Sequence, residues 1–173
     1  MFLIIIAIAP TIALFLYFYN KDKYEKEPLE LILKAFLVGV VILFPSVIVE
    51  QVLLVFVKDF KGTFQIFLQA FLVAGLVEEG FKYMAFKILI YKNKNFNELY
   101  DGILYSVMVS LGFATFENLY YVLEYYLWGG FFSGFVVGIV RAILTIPLHC
   151  FLGVIMGYFL SLAKFSNDPI LET

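Results

Sequence analysis

Apolar residues occupy this chain in runs of about twenty or more, parted by short polar joints. Wound as α-helix, a run of that length matches the hydrocarbon core of a bilayer. The pattern predicts spans over about residues 2–19, 29–57, 64–91, 100–123 and 130–163. Pro45 should kink the second of them. The last run is long for one crossing, and Pro147 divides it. It is either one kinked helix or a short re-entrant piece followed by a full span. The expected fold class is all-α: a polytopic transmembrane bundle of about five spans, forming a single integral-membrane domain over 1–173.

Composition strengthens that reading. The chain is 63% hydrophobic and only 15% charged, where a soluble domain carries about 25% charged residues. Net charge is −2 with no basic block, so a nucleic-acid partner has no support. Cys150 is the single cysteine, which excludes a disulfide framework and a cysteine-rich zinc site. The first run lacks a basic leader and is too long for a cleaved signal peptide, although Ala7-Ile8-Ala9 is a weak cleavage mimic.

Joint charges suggest an orientation. Lys21, Lys23 and Lys26 follow the first run, Lys58 and Lys61 the second, and Lys87, Lys92 and Lys94 end the third. The joint at 124–130 has no Lys or Arg, and Lys164 ends the last run. By the positive-inside rule the N-terminus lies outside, and the C-terminus is cytoplasmic if the last run is one span. With every joint short, chemistry must happen within the bundle or at its mouth.

The informative residues are the polar ones inside the apolar runs. Glu78 and Glu79 interrupt the third. A single ionised side chain at bilayer depth costs roughly 3 kcal/mol on insertion scales, and a neighbouring like charge adds repulsion. Lys82 lies four and three residues further on, so on a helix its ammonium can reach either carboxylate. A buried salt bridge that fixes packing would need one glutamate. The second leaves a carboxylate free for water activation. Glu117 and Asn118 sit in the fourth run with Tyr121 one turn on, close to the small residues Gly112 and Ala114. They make either an interhelical polar cluster or part of a site. Arg141 and His149, the only Arg and the only His, occupy the last run. The arginine calls for an acidic partner, Glu117 or the Glu78–Glu79 pair. The imidazole can donate to an oxyanion, shuttle a proton or bind a metal, or simply pack with one hydrogen bond.

Other constellations are weaker. Cys150 adjoins His149 and so faces another direction on a helix. Ser106, Ser110 and Ser133 lack a nucleophile-elbow setting, and Asp101 has no second Asp near a span. No HExxH occurs, so a zinc site would need His149 and two or more carboxylates.

Taken in order, Glu78-Glu79-x-x-Lys82, Asp101-Gly102-x-x-Tyr105, Gly112-Phe113-Ala114-x-x-Glu117-Asn118-x-x-Tyr121, Arg141, and His149 with Gly157-Tyr158 resemble the PrsW family. Those are intramembrane proteases of bacteria and archaea related to the CAAX prenyl endopeptidases. The resemblance covers roughly residues 70–160. It implies a helical fold in which paired glutamates and a histidine line a membrane-embedded cavity. It also implies site-1 cleavage of membrane-anchored anti-sigma factors in stress responses. Two departures stand out: Ser106 replaces a frequent Gly, and the chain has fewer spans than many relatives.

The expected function is thus a glutamate-type intramembrane endopeptidase acting on a membrane-anchored protein. Glu78 or Glu79 would be the base, Lys82 would set the pair's charge, and His149 would hold the oxyanion or the water. Glu117 and Asn118 would orient a partner or bind substrate backbone, and Arg141 would hold the architecture. This mechanism requires no cofactor, although Glu78, Glu79, Glu117 and His149 could also hold a divalent metal. The alternative is a non-catalytic scaffold or a transporter-like bundle whose buried charges carry protons or a cation.

Overall fold

The computed structural model describes residues 1–22 and 25–166. Lys23, one of the charges used for orientation, lies outside them. The described residues form helices and short joints, with no strand. The elements are α1 (Phe2–Lys21), α2 (Leu29–Val57), α3 (Gly62–Leu89), α4 (Leu99–Val140) and α5 (Ile146–Phe165). Leu68–Leu76 within α3 is wound as π-helix, and a π turn at Arg141–Thr145 joins α4 to α5. By length and composition, four continuous helical stretches can cross a membrane, the last being Leu99–Phe165 with 67 residues. Straight, that stretch would run about 100 Å, some three bilayer cores. It folds back instead at Gly130, whose φ of 73° and ψ of −171° are open to glycine alone.

Small residues set how closely the returning arm packs. A side chain at Gly134 would meet Tyr126 and the Val122 carbonyl, one at Gly153 would meet Ser110, and one at Gly157 would collide with the backbone of Gly102. The two arms are therefore antiparallel and in tight contact along their length. Between α2 and α4 the fit is reciprocal: Gly39 lies against the Val109 carbonyl and Gly112 against the Phe36 carbonyl. Such contacts hold membrane helices together where hydrophobicity gives no driving force.

The break falls at Gly130 and not at Pro147. Proline lacks an N–H and crowds the preceding turn. The π turn ahead of it, where the Ile146 N–H donates to the Arg141 carbonyl, widens the helix and lets it continue. Likewise α2 runs without interruption through Pro45.

The first arm of α4 is the axis of the bundle. Leu104, Tyr105, Val107, Met108, Val109, Leu111 and Ala114 are completely buried, with apolar residues on every side of the helix. It starts at a capping box in which the Asp101 carboxylate accepts the N–H groups of Glu98 (2.7 Å) and Asn97 (3.0 Å). By contrast, the first half of α3 is mostly exposed, with Val73 its one buried residue.

Candidate active site

Three helices and one π turn bring the intramembrane polar residues together. Glu78, Glu79 and Lys82 stand just past the π segment of α3, Glu117 and Asn118 on the axial arm of α4, Arg141 at the second π turn, and His149 on α5. Wide turns of this kind recur at functional sites because they re-aim the side chains that follow.

Lys82 is the centre of the cluster and is completely buried. An ammonium has three protons and no lone pair. Its Nζ lies 2.7 Å from Glu79 Oε1, 3.4 Å from Glu78 Oε2 and 2.8 Å from His149 Nδ1, so each proton has a taker. The Phe113 ring covers the ammonium at 4.4 Å from its centroid. Because Lys82 can only donate, His149 Nδ1 must accept. Nε2 of the neutral ring then carries the hydrogen and donates to Glu117 Oε2 at 3.2 Å.

Arg141 completes the chain of contacts. Its Nη2 pairs with the same Glu117 oxygen at 2.8 Å, and its Nε donates to Asn118 Oδ1 at 3.0 Å. The guanidinium also lies over Tyr121, 4.2 Å from the ring centroid. Of the two acidic partners expected for Arg141, the structure selects Glu117. Asn118 is completely buried with both ends of its amide engaged, since its Nδ2 donates to the Ala7 carbonyl at 2.8 Å. That geometry leaves Asn118 an orienting part and no reach to substrate.

A cavity of about 880 Å³ opens beside this network, between α2, α3 and α4. Glu78 and Glu117 line it, whereas Glu79 and Lys82 are not part of the lining. It extends to Tyr125 and Trp128, next to the Gly130 turn. Two more carboxylates line it, Glu50 and Glu124, with Gln51 adjacent. The sequence reading passed over both. For Glu50 a signal was present: it is the only charged residue between Lys34 and Lys58, and the intramembrane-charge argument applied to Glu78 holds for it equally.

Glu78, Glu79 and His149 offer one donor atom each, all within 4.8 Å of one another. Two carboxylates and an imidazole are a chemically suitable set for a zinc-like cation. The same three groups already surround a cation, the Lys82 ammonium. The residues therefore fit a metal on condition that Lys82 swings away from His149 Nδ1.

A multi-pass helical bundle with paired carboxylates, a lysine and a histidine beside an open cavity has the form of a membrane-embedded hydrolase. Comparison with known proteins narrows this. The family described as PrsW family intramembrane metalloprotease matches residues 27–172. Protease PrsW of Bacillus subtilis (strain 168) is 43% identical over 169 residues, covering 97% of this chain and 72% of the relative. The Protease PrsW of Geobacillus kaustophilus (strain HTA426) is 41% identical over 95% of this chain and 68% of its own. That of Clostridioides difficile (strain 630) is 37% identical over 96% and 68%. No solved structure matches. The chain belongs to the PrsW family and is a membrane-embedded peptidase. That membership favours the peptidase reading over a scaffold or a transporter-like bundle.

Proposed function

We propose that the chain hydrolyses a peptide bond of a membrane-anchored protein in the cavity beside Glu78, with Glu78 as the base. One observation carries the choice between the paired glutamates. Glu78 lines the cavity with Lys82 at 3.4 Å, whereas Glu79 is not part of the lining and holds the ammonium at 2.7 Å. Glu79 neutralises Lys82 and Glu78 is left to act. Its carboxylate takes a proton from water, the resulting hydroxide attacks the scissile carbonyl, and the proton passes to the departing amine. To supply the donor for the tetrahedral oxyanion, His149 turns its single Nε2–H away from the Glu117 carboxylate that holds it at rest. Glu117 is kept ionised and in place by Arg141.

The cavity lies at the end of the bundle that carries the 124–130 turn. With the N-terminus outside, that end faces outward, where a site-1 cut in a membrane-anchored anti-sigma factor would fall. The resemblance to the family supports this substrate class.

A second reading is favoured by the convergence of Glu78, Glu79 and His149 within 4.8 Å and by the family's description as metalloproteases. A divalent metal held by those three residues would supply Lewis-acid polarisation of the carbonyl and a more acidic water. Glu117 would then orient His149 through its other nitrogen.

Because the substrate is unidentified, the test is unbiased. Membranes from cells producing the wild type or Glu78→Gln are compared by N-terminal labelling and mass spectrometry. Termini generated by the wild type and missing with Glu78→Gln are the expected result. Identical sets of termini would sink the mechanism. Repeating the comparison with a membrane-permeant chelator separates the two readings, since only the metal form loses its cleavage.

A further inference from the structure

The mechanism above uses Glu78, Glu79 and Glu117 but has no task for Glu50. This residue stands on α2 amid Phe44–Val57, where every other position is uncharged. One of its carboxylate oxygens, Oε1, is shut off from solvent and has no hydrogen-bond partner among the described residues. An ionised group in the apolar part of a span is costly unless something compensates it. The nearby cations are committed elsewhere: Lys82 to Glu79, Glu78 and His149, and Arg141 to Glu117 and Asn118. No lysine or arginine lines the cavity, while Glu50, Glu78, Glu117 and Glu124 all do.

We infer that Glu50 forms a subsite for a basic side chain of the substrate, close to the peptide bond hydrolysed beside Glu78. The inference rests on the peptidase reading of this cavity. Around Glu50 the wall is apolar and aromatic, with Phe44, Val47, Phe116 and Tyr120. Such a wall takes the methylene stem of a Lys or Arg while the carboxylate takes its charged head. A metal ion suits the place less well, because the three convergent donors are Glu78, Glu79 and His149, and Glu50 is not among them. The volume of about 880 Å³ is in the range of pockets that enclose a ligand much larger than water. It leaves room for several residues of an unwound segment. A substrate entering here brings the missing counter-charge with it, so the desolvation of Glu50 is offset only when a basic residue is bound.

The experiment profiles cleavage sites in membranes containing the wild type, Glu50→Gln, Glu50→Asp or Glu78→Gln, by the same terminal labelling. In the wild type, Lys or Arg should recur at a fixed position near the new termini. Losing one charge-assisted hydrogen bond is worth about tenfold, so in Glu50→Gln the ratio of basic to non-basic sites should fall by about that factor. Glu50→Asp, which keeps the charge, should retain the preference. Thermal melting of each purified variant checks folding. Glu50→Gln removes a buried charge and should melt no lower than the wild type. The same site preference in the wild type and Glu50→Gln overturns the inference. A wild type yielding no terminus that Glu78→Gln lacks overturns hydrolysis by Glu78 in this cavity, and this subsite with it.

Discussion

Both ends of the axial helix α4 carry buried acid, yet the two ends do different things with it. At the first end, Asp101 caps its own helix, and Asp22 accepts the Glu27 N–H at 3.1 Å. Glu27 in turn accepts a hydrogen bond from the buried Tyr105 hydroxyl. Lys164 ties the same region together by donating to the carbonyls of Phe96 (2.6 Å) and Tyr91 (3.0 Å). Each of these polar groups has a protein partner. At the other end Glu78, Glu117 and Glu50 line a space, and one Glu50 oxygen has no partner. Burial of a carboxylate is thus no sign of function by itself. What separates the two ends is whether the carboxylates are held by protein groups alone or also line an opening.

The sharpest way to test this contrast is Glu78→Gln. Removing a general base costs about 10²- to 10⁴-fold in rate, so terminal labelling should find cleavage reduced to background, with the melting temperature unchanged or higher. Next comes Lys82→Met. Taking one partner from a buried ion cluster destabilises by about 3–5 kcal/mol. Denaturation of the protein in detergent should show a loss of that order along with lost cleavage. A variant as stable as the wild type would mean that Lys82 does not neutralise the pair.

Smaller effects belong to the first end. Tyr105→Phe leaves the Glu27 carboxyl without its donor and should cost about 1–3 kcal/mol, while cleavage continues at the wild-type level. If cleavage disappears in a folded Tyr105→Phe protein, the two ends are coupled and the contrast breaks.

The mildest prediction concerns pH. Burial, reinforced by the charges of Asp101, Asp22 and Glu25 and countered by the Tyr105 hydrogen bond, raises Glu27 to about 7 from its ordinary 4.5. In that interval the folded protein holds a proton that the unfolded chain has released. Stability is therefore full below about pH 4.5, falls as pH rises toward about 7, and stays level above it. Melting temperatures at pH 5 and pH 8 should differ more for the wild type than for Glu27→Gln. Equal differences would show that Glu27 does not titrate in this way.

Much of this architecture was legible in the chain. Apolar runs mark where helices lie because a bilayer demands length and apolarity together. The reach of Lys82 to Glu78 and Glu79 follows from helical spacing alone, and the need of Arg141 for an acid follows from the cost of an unpaired charge. The site residues Glu78, Glu79, Lys82, Glu117, Asn118, Arg141 and His149 stood out as polar exceptions in apolar surroundings. Glu50 obeyed the same rule and was missed because no second charged residue at helical spacing accompanies it.

Other features depend on distances between segments far apart in the chain, and sequence spacing does not encode these. Lys82 and His149 are 67 positions apart, and Tyr105 and Glu27 are 78. Whether they meet depends on helix crossings fixed by contacts such as Gly112 on Phe36 and Gly157 on Gly102. The reversal at Gly130 falls at the end of the joint expected at 124–130, whereas the π turn at Arg141–Thr145 lets the helix continue through Pro147. By itself, then, the sequence determined the class of the protein, its long apolar helical stretches and most of the candidate polar side chains. Only the tertiary structure decided which glutamate faces the cavity, which nitrogen of His149 carries the hydrogen, and which carboxylate was left without a partner. Hydrophobicity is a property of each segment, whereas the direction of a side chain is a property of the packing around it.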